Sequence, residues 1–346
     1  MRYCLVLALT VNVVARAEDI TPRVGFVEVY GARKVSVGKI RSAVGVKAGD
    51  PLPSREDAED RIDKIGGILT ARVEATCCDQ RKTVLYIGVE ERNEPHFEFH
   101  RAPTSAVTLP VELADNYRAF LDAVGESLHG HNADEDLTNG YSLMADSECR
   151  RLQEGFIPFA TSDLALIDRV LRESSDSDQR TMAAYLLPYG PRGPRTSKTI
   201  VDGLQYALQD QDETVRQTTM RSLRALAVGA KLHPEQQVHI EPTWFVELLN
   251  SVVWSDRRGA SLALVNLTEN RDPGMLSLLR ERALPSVIEM ARWHDLEHAL
   301  PAFILAGRLA GLSQGEIQAA WVSGDREPVL QQALNPKKKP RGHQNG

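Results

Sequence analysis

VGFVEVYGARKVSVGKIRSAVGVKAGDPL, residues 24–52, holds a strand, a helix and the turn that follows them. Val24, Phe26, Val27, Val29 and Tyr30 supply the branched and aromatic side chains that fit a pleated surface, and Gly31 ends the run. Ser36 stands where a helix cap is wanted, and Ile40 and Val44 then share one helical face. Gly49-Asp50-Pro51 is a turn. Ser54-Arg-Glu-Asp57 opens a second helix in the manner of a capping box, with Asp in place of Glu. That helix carries Ala58, Ile62 and Ile65 on one side and stops at Gly66-Gly67. Residues 68–76 and 83–89 alternate as strands, and residues 77–82 form the hairpin loop between them. The expected order is β-α-α-β-β.

This order and these residues resemble a POTRA domain over residues 22–92. The resemblance rests on "VEVYGARKVSVGKIRSAVGVKAGDPL", on "ILTARVEA" and on "KTVLYIGVEER". It includes Gly31 after the first strand, Gly49-Asp50 after the first helix and Glu90-Glu91-Arg92 after the last strand. The resemblance implies an extracytoplasmic, non-catalytic module that binds polypeptide by adding a strand to a sheet edge. The edge expected here is residues 68–76, where Arg72 and Glu74 are the candidate contacts. Nothing after residue 100 alternates in the manner of membrane-barrel strands.

Upstream of the module, Arg2, an apolar run over residues 3–15 and Ala15-Arg16-Ala17 have the layout of a secretory leader. The run is shorter than the about 20 residues a bilayer-spanning helix needs. Residues 1–17 are therefore expected to be cleaved, and the protein is expected to be periplasmic or secreted. Loss of Arg2 and Arg16 takes the 41 basic residues to 39, against 47 acidic. That balance disfavours nucleic acid as a partner. Cys77, Cys78 and Cys149 remain. A bridge from one of the adjacent pair to Cys149 is the expected pairing if any forms, and three unpaired thiols are the alternative.

Residues 93–110 contain Pro95, Pro103 and Pro110 and are expected to be a linker. Helical periodicity follows over residues 111–334, first with Leu113, Tyr117, Phe120, Leu121, Val124 and Leu128 on one face. Arg180, Arg216 and Arg258 each follow an Asp and are each followed by apolar residues at +4 and +7, with His298 in a fourth such place. The steps are 36, 42 and 40 residues, a period that marks stacked helix pairs. "DETVRQTTMRSLRALAV" and "SDRRGASLALVNLTEN" resemble HEAT repeats. That resemblance implies an Asp–Arg ladder along the stack and a binding scaffold, with an Armadillo-like or plain helical bundle as the alternative. Residues 335–346, with Lys337 to Lys339 and Arg341, read as a disordered basic tail.

His294-Asp-Leu-Glu-His298 matches the inverted zinc-protease motif, in which His294 and His298 would share a metal and Glu297 would act as base. Its third ligand would have to come from Glu316 or Glu327, and the region lacks the mixed sheet of those enzymes. His129 and His131 with Asp134, Glu135 and Asp136 form a second candidate cation loop, without fixed spacing. No G-x-S-x-G and no phosphate-binding G-x-x-x-x-G-K-[ST] occurs, and the prolines in residues 190–199 remove amides that a phosphate would need. Trp244 and Trp254 stand near expected helix ends, so with Arg257 and Arg258 they are the candidate binding residues of the helical region.

The expectation is thus an α+β chain, a small β-α-α-β-β POTRA-like domain followed by an all-α HEAT-like solenoid. It is expected to be a non-enzymatic adaptor without cofactor. Its partner would be a protein or peptide of the cell envelope, with peripheral association to a membrane complex. The alternative is a zinc-dependent hydrolase. A cofactor-handling lyase built on the helical part is a third reading.

Overall fold

A computed structural model of the chain describes residues 22–79, 82–129 and 134–335. The expected leader, the tip of the first hairpin, His131 and the basic run at 337–341 lie outside the described residues. The fold is α+β, a small mixed sheet followed by a helical region.

The sheet region runs β1 (Val24–Tyr30), α1 (Val37–Val44), α2 (Arg55–Asp63), β2 (Ile68–Asp79) and β3 (Lys82–Glu91). The strand order is β1-β3-β2, with β3 central, parallel to β1 and antiparallel to β2. Ser54 Oγ accepts the Asp57 N–H, so α2 starts as its sequence indicates. Ser36 occupies the cap of α1, but only its backbone carbonyl serves the helix; the hydroxyl makes no cap bond. Gly45 ends α1 in the left-handed conformation at φ 71°. Ile40, Val44, Ala58 and Ile62 pack on Ile68, Ala71, Val73, Leu85, Ile87 and Val89, giving the sheet a core on one face. Glu91, at the end of β3, accepts the backbone N–H groups of Arg33, Lys34 and Val35 and so fixes the approach to α1.

The helical region comprises α3 (Val111–His129), a short hairpin of β4 (Glu135–Asp136) and β5 (Leu143–Met144), α4 (Ser147–Glu154), α5 (Phe156–Ser162) and α6 (Leu164–Glu173). It continues with α7 (Ser177–Leu186), α8 (Pro194–Ala207), α9 (Glu213–Leu232), α10 (Thr243–Leu248) and α11 (Trp254–Leu267). The last helices are α12 (Pro273–Ala291), α13 (Leu296–Leu309), α14 (Gln314–Ser323) and α15 (Glu327–Leu334). α7, α9, α11 and α13 pack in series as one layer. α6 packs on α8 and α10 on α12 behind them.

Buried ion pairs link successive helix pairs along the stack. Arg180 makes a forked pair with Asp210 at 2.7 and 2.8 Å, and Arg216 makes one with Asp256 at 2.9 and 2.8 Å. The third guanidinium of the series is Arg257 rather than the expected Arg258. Arg180, Arg216 and Arg257 each donate to the backbone carbonyl six residues earlier, at Ser174, Asp210 and Ser251. Arg257 then pairs with Glu289 at 3.2 Å. Arg258 is one position round the helix and points outward to Glu297. His298 takes no place in the ladder: its ring turns to the sheet.

Residues 93–110 are a strap, not a free linker. His100 N–H donates to the Gln209 carbonyl at 2.7 Å, Ser105 bonds with Glu173 and Ser175, and Leu109 N–H donates to Gln179. Phe97 and Leu109 are buried, and the Arg216 guanidinium lies over the Phe99 ring at 4.4 Å. Cys149 is free and buried within α4, so the expected bridge from the hairpin to Cys149 does not form. Burial pushes its thiol up to about 11. Cys77 is disulfide-bonded, but not to Cys149.

Candidate functional site

β3 does not alternate as expected: it reads Thr-Val-Leu-Tyr-Ile-Gly-Val over residues 83–89, apolar at successive positions, and both of its faces are buried. Leu85, Ile87 and Val89 face α1 and α2. Val84 and Tyr86 join Tyr30 of β1 in the core of the helical region. Gly88 sits where the sheet meets the Val252 carbonyl and the Tyr30 ring, with no space for a Cβ. Tyr30 Oη donates to that carbonyl at 2.8 Å, and the Arg257 guanidinium covers the Tyr30 ring at 4.4 Å. The Tyr86 hydroxyl and His298 Nδ1 share a buried hydrogen bond of 2.8 Å, with the Tyr86 ring stacked on Trp254 at 5.0 Å and tilted against Trp293 at 4.9 Å.

Carboxylates fasten the rim of this junction. Glu28 accepts the His294 N–H, Glu74 accepts the Trp254 N–H at the start of α11, and Glu289 accepts the Gly31 N–H. The last ladder acid is therefore shared between Arg257, Arg33 and the sheet. Burial is the largest influence on Glu74 and pushes its carboxyl up to about 7, against the lowering effect of the Trp254 N–H. A carboxyl raised on folding contributes stability that is complete below its unfolded value of 4.5 and is lost as pH rises through about 7. Glu74→Gln cannot titrate, yet its amide oxygen still accepts from Trp254. The melting temperature of Glu74→Gln minus that of the wild type is thus expected to increase from about pH 5 to about pH 8. A difference that stays constant across that range would contradict this.

The candidate residues separate into distinct places. Trp254 and Arg257 are held in the junction with Glu74, and Arg258 lies beside them at 5.8 Å from the Trp254 ring. Arg72 is on the outer side of β2, 3.8 Å from Glu59. Trp244 is elsewhere, edge-on to Phe97 of the strap. The residues of the zinc motif are engaged individually: His298 bonds Tyr86, the His294 ring lies 3.7 Å from the Phe26 ring, and Glu297 pairs with Arg258. In the other candidate loop, His129 Nδ1 bonds the Gly125 carbonyl, Glu135 pairs with Arg221 and Asp136 accepts from Thr138. No group of three or more His, Cys, Asp or Glu fit to hold a metal occurs among the described residues.

The outer edge of β2 is only partly open. Val73 N–H donates to Glu59 of α2 at 2.8 Å, and Asp63, one turn on, faces the Ala71 backbone. These carboxylates occupy the first half of the edge that the sequence points to, as guarded edges require. Ala75, two residues on, presents its N–H and C=O on the same side as Val73. There the edge enters a groove of about 570 Å³. Leu52, Pro53 and Arg55 at the start of α2 form one wall, and Glu213, Gln217, Trp254 and Ser255 of α9 and α11 form the other.

Tyr30, Tyr86, Gly88, Glu28 and Glu289 are parts of the junction that the sequence reading passes over. The available signal was the unbroken apolar run of β3, which calls for a second partner layer beyond α1 and α2. No protein-family model matches the chain, and no curated protein is similar to it in sequence.

Proposed function

We propose that this chain is an exported, non-enzymatic polypeptide-binding scaffold of the cell envelope, in which a POTRA-like sheet and a HEAT-like stack form one composite groove. The observation that carries the reading is the open edge of β2 at Ala75, lying in a groove between α2 and the α9–α11 wall. A sheet edge in a groove offers backbone hydrogen bonds to any extended chain, and the side walls read its side chains. The sheet does not act as a separate head, since Tyr30, Tyr86 and Gly88 seat it on the helices.

Ala75→Pro tests this. Proline lacks the N–H that an added strand needs, and on an outward-facing edge position it leaves the pairing with β3 in place. Peptides selected from a phage-displayed library of random extended sequences on the wild-type chain are expected to bind Ala75→Pro at least about tenfold more weakly, the loss of about 1.4 kcal/mol expected for one to two hydrogen bonds. Undiminished binding by a variant of unchanged melting temperature would refute strand addition at this edge.

A further inference from the structure

The groove does not end at the sheet. Gln217, Trp254 and Ser255 line both the Ala75 slot and a second cavity of about 370 Å³ between α9 and α11. Three guanidiniums line this cavity: Arg221 and Arg224, one turn apart on α9, and Arg258 on α11. They gather although the chain has 41 basic against 47 acidic residues. Glu135 also lines the cavity and is paired with Arg221, so its charge is offset there; Arg258 pairs with Glu297, whose side chain is 81% exposed. No described acidic side chain pairs with Arg224. Met220, Leu262 and the Trp254 ring give the cavity an apolar lining beneath these charges.

We propose that this second cavity binds acidic side chains of the same polypeptide whose backbone pairs with Ala75, so that the ligand is an extended segment followed within a few residues by Asp or Glu. The inference rests on the strand-addition reading above. Arginine forks match carboxylates with two parallel N–H bonds, and partial desolvation against Trp254 strengthens them. A nucleic acid fits the whole groove poorly. Its charged backbone would have to pass Glu74 and Glu213 in the slot, whereas a peptide backbone is neutral there.

The test uses two fluorescein-labelled peptide pools, each a random extended octamer, one ending in three Glu and the other in three Gln. The Glu pool is expected to bind the full chain about tenfold or more tightly than the Gln pool, in line with one or two charge-assisted bonds. Its advantage is expected to shrink as salt rises and to vanish in Arg224→Gln/Arg258→Gln, with stability lowered by no more than the about 1 kcal/mol that the exposed Arg258–Glu297 pair contributes. Equal binding of the pools, or an advantage that survives the double substitution, overturns the proposal. A single-stranded oligonucleotide that displaces the Glu pool at a lower concentration than the unlabelled peptide overturns it as well. Ala75→Pro separates the two readings. If it weakens the Gln pool while the Glu pool gains nothing, only the acidic preference fails. If it weakens neither pool, strand addition itself fails.

Discussion

Asp256→Ala is expected to lower the stability of the helical stack by about 3–5 kcal/mol. Asp256 is fully buried and accepts from Arg216 Nε and Nη2 at 2.9 and 2.8 Å and from Ser251 Oγ at 2.8 Å. The pair need not stabilise the fold relative to an apolar pair of the same volume. Removing one partner is a different matter, because Arg216 is 1% exposed and would keep its charge without its carboxylate. Urea unfolding followed by circular dichroism measures the effect. Arg258→Ala is the matched control, because that side chain reaches the exposed Glu297 and a surface pair contributes about 0–1 kcal/mol. A loss of about 3–5 kcal/mol in Arg258→Ala as well would contradict the assignment of Arg257, rather than Arg258, to the buried series.

Gly88→Ala is the second substitution with a large expected effect. A Cβ at this position would lie 2.0 Å from the Val252 carbonyl oxygen and 2.6 Å from the Tyr30 ring. Both are fixed, since Tyr30 bonds that carbonyl and lies beneath Arg257. The sheet must therefore move off the helices, at a cost of about 3 kcal/mol or the upper end of what overpacking brings. Trp254 and Trp293 sit against Tyr86 at the same junction, so their fluorescence is expected to shift toward that of solvated indole. Gly66→Ala meets nothing within 4 Å and is expected to be neutral within about 0.5 kcal/mol. Unchanged tryptophan emission in Gly88→Ala would show that the sheet is not seated as described.

Much of the local structure was legible because local chemistry specifies it. Ser54, the Ile40–Val44 spacing and the branched side chains of β1 act within a few residues, and the structure forms β1, α1 and α2 where those signals stand, whereas β2 continues to Asp79 and β3 begins at Lys82, so strand occupies most of the stretch expected to be the 77–82 loop. The helix period was legible in part: the third guanidinium was placed one residue late, since only the position of Ser251 and Glu289 decides whether Arg257 or Arg258 turns inward, and the fourth place was given to His298, which bonds Tyr86 of the sheet instead. The candidate site was half legible. Glu74, Trp254 and Arg257 were singled out one by one, but that they meet depends on pairings across 180 or more residues, such as Glu74 with Trp254. Sequence patterning carries no record of such distant contacts unless a strand is apolar on both faces. The capping of the β2 edge by Glu59 was hidden for a related reason. A charged helix residue looks solvated until the strand beside it is known.

The most direct measurement is residue-resolved amide hydrogen exchange at Ala75 in the full chain, with and without saturating peptide from the selected library. An added strand places a hydrogen bond on that N–H, so exchange at Ala75 is expected to slow at least about tenfold while Val73, already bonded to Glu59, changes little. Bound peptide that leaves Ala75 exchanging at its free rate would contradict the claim that this chain holds polypeptides at the junction of its sheet and helices.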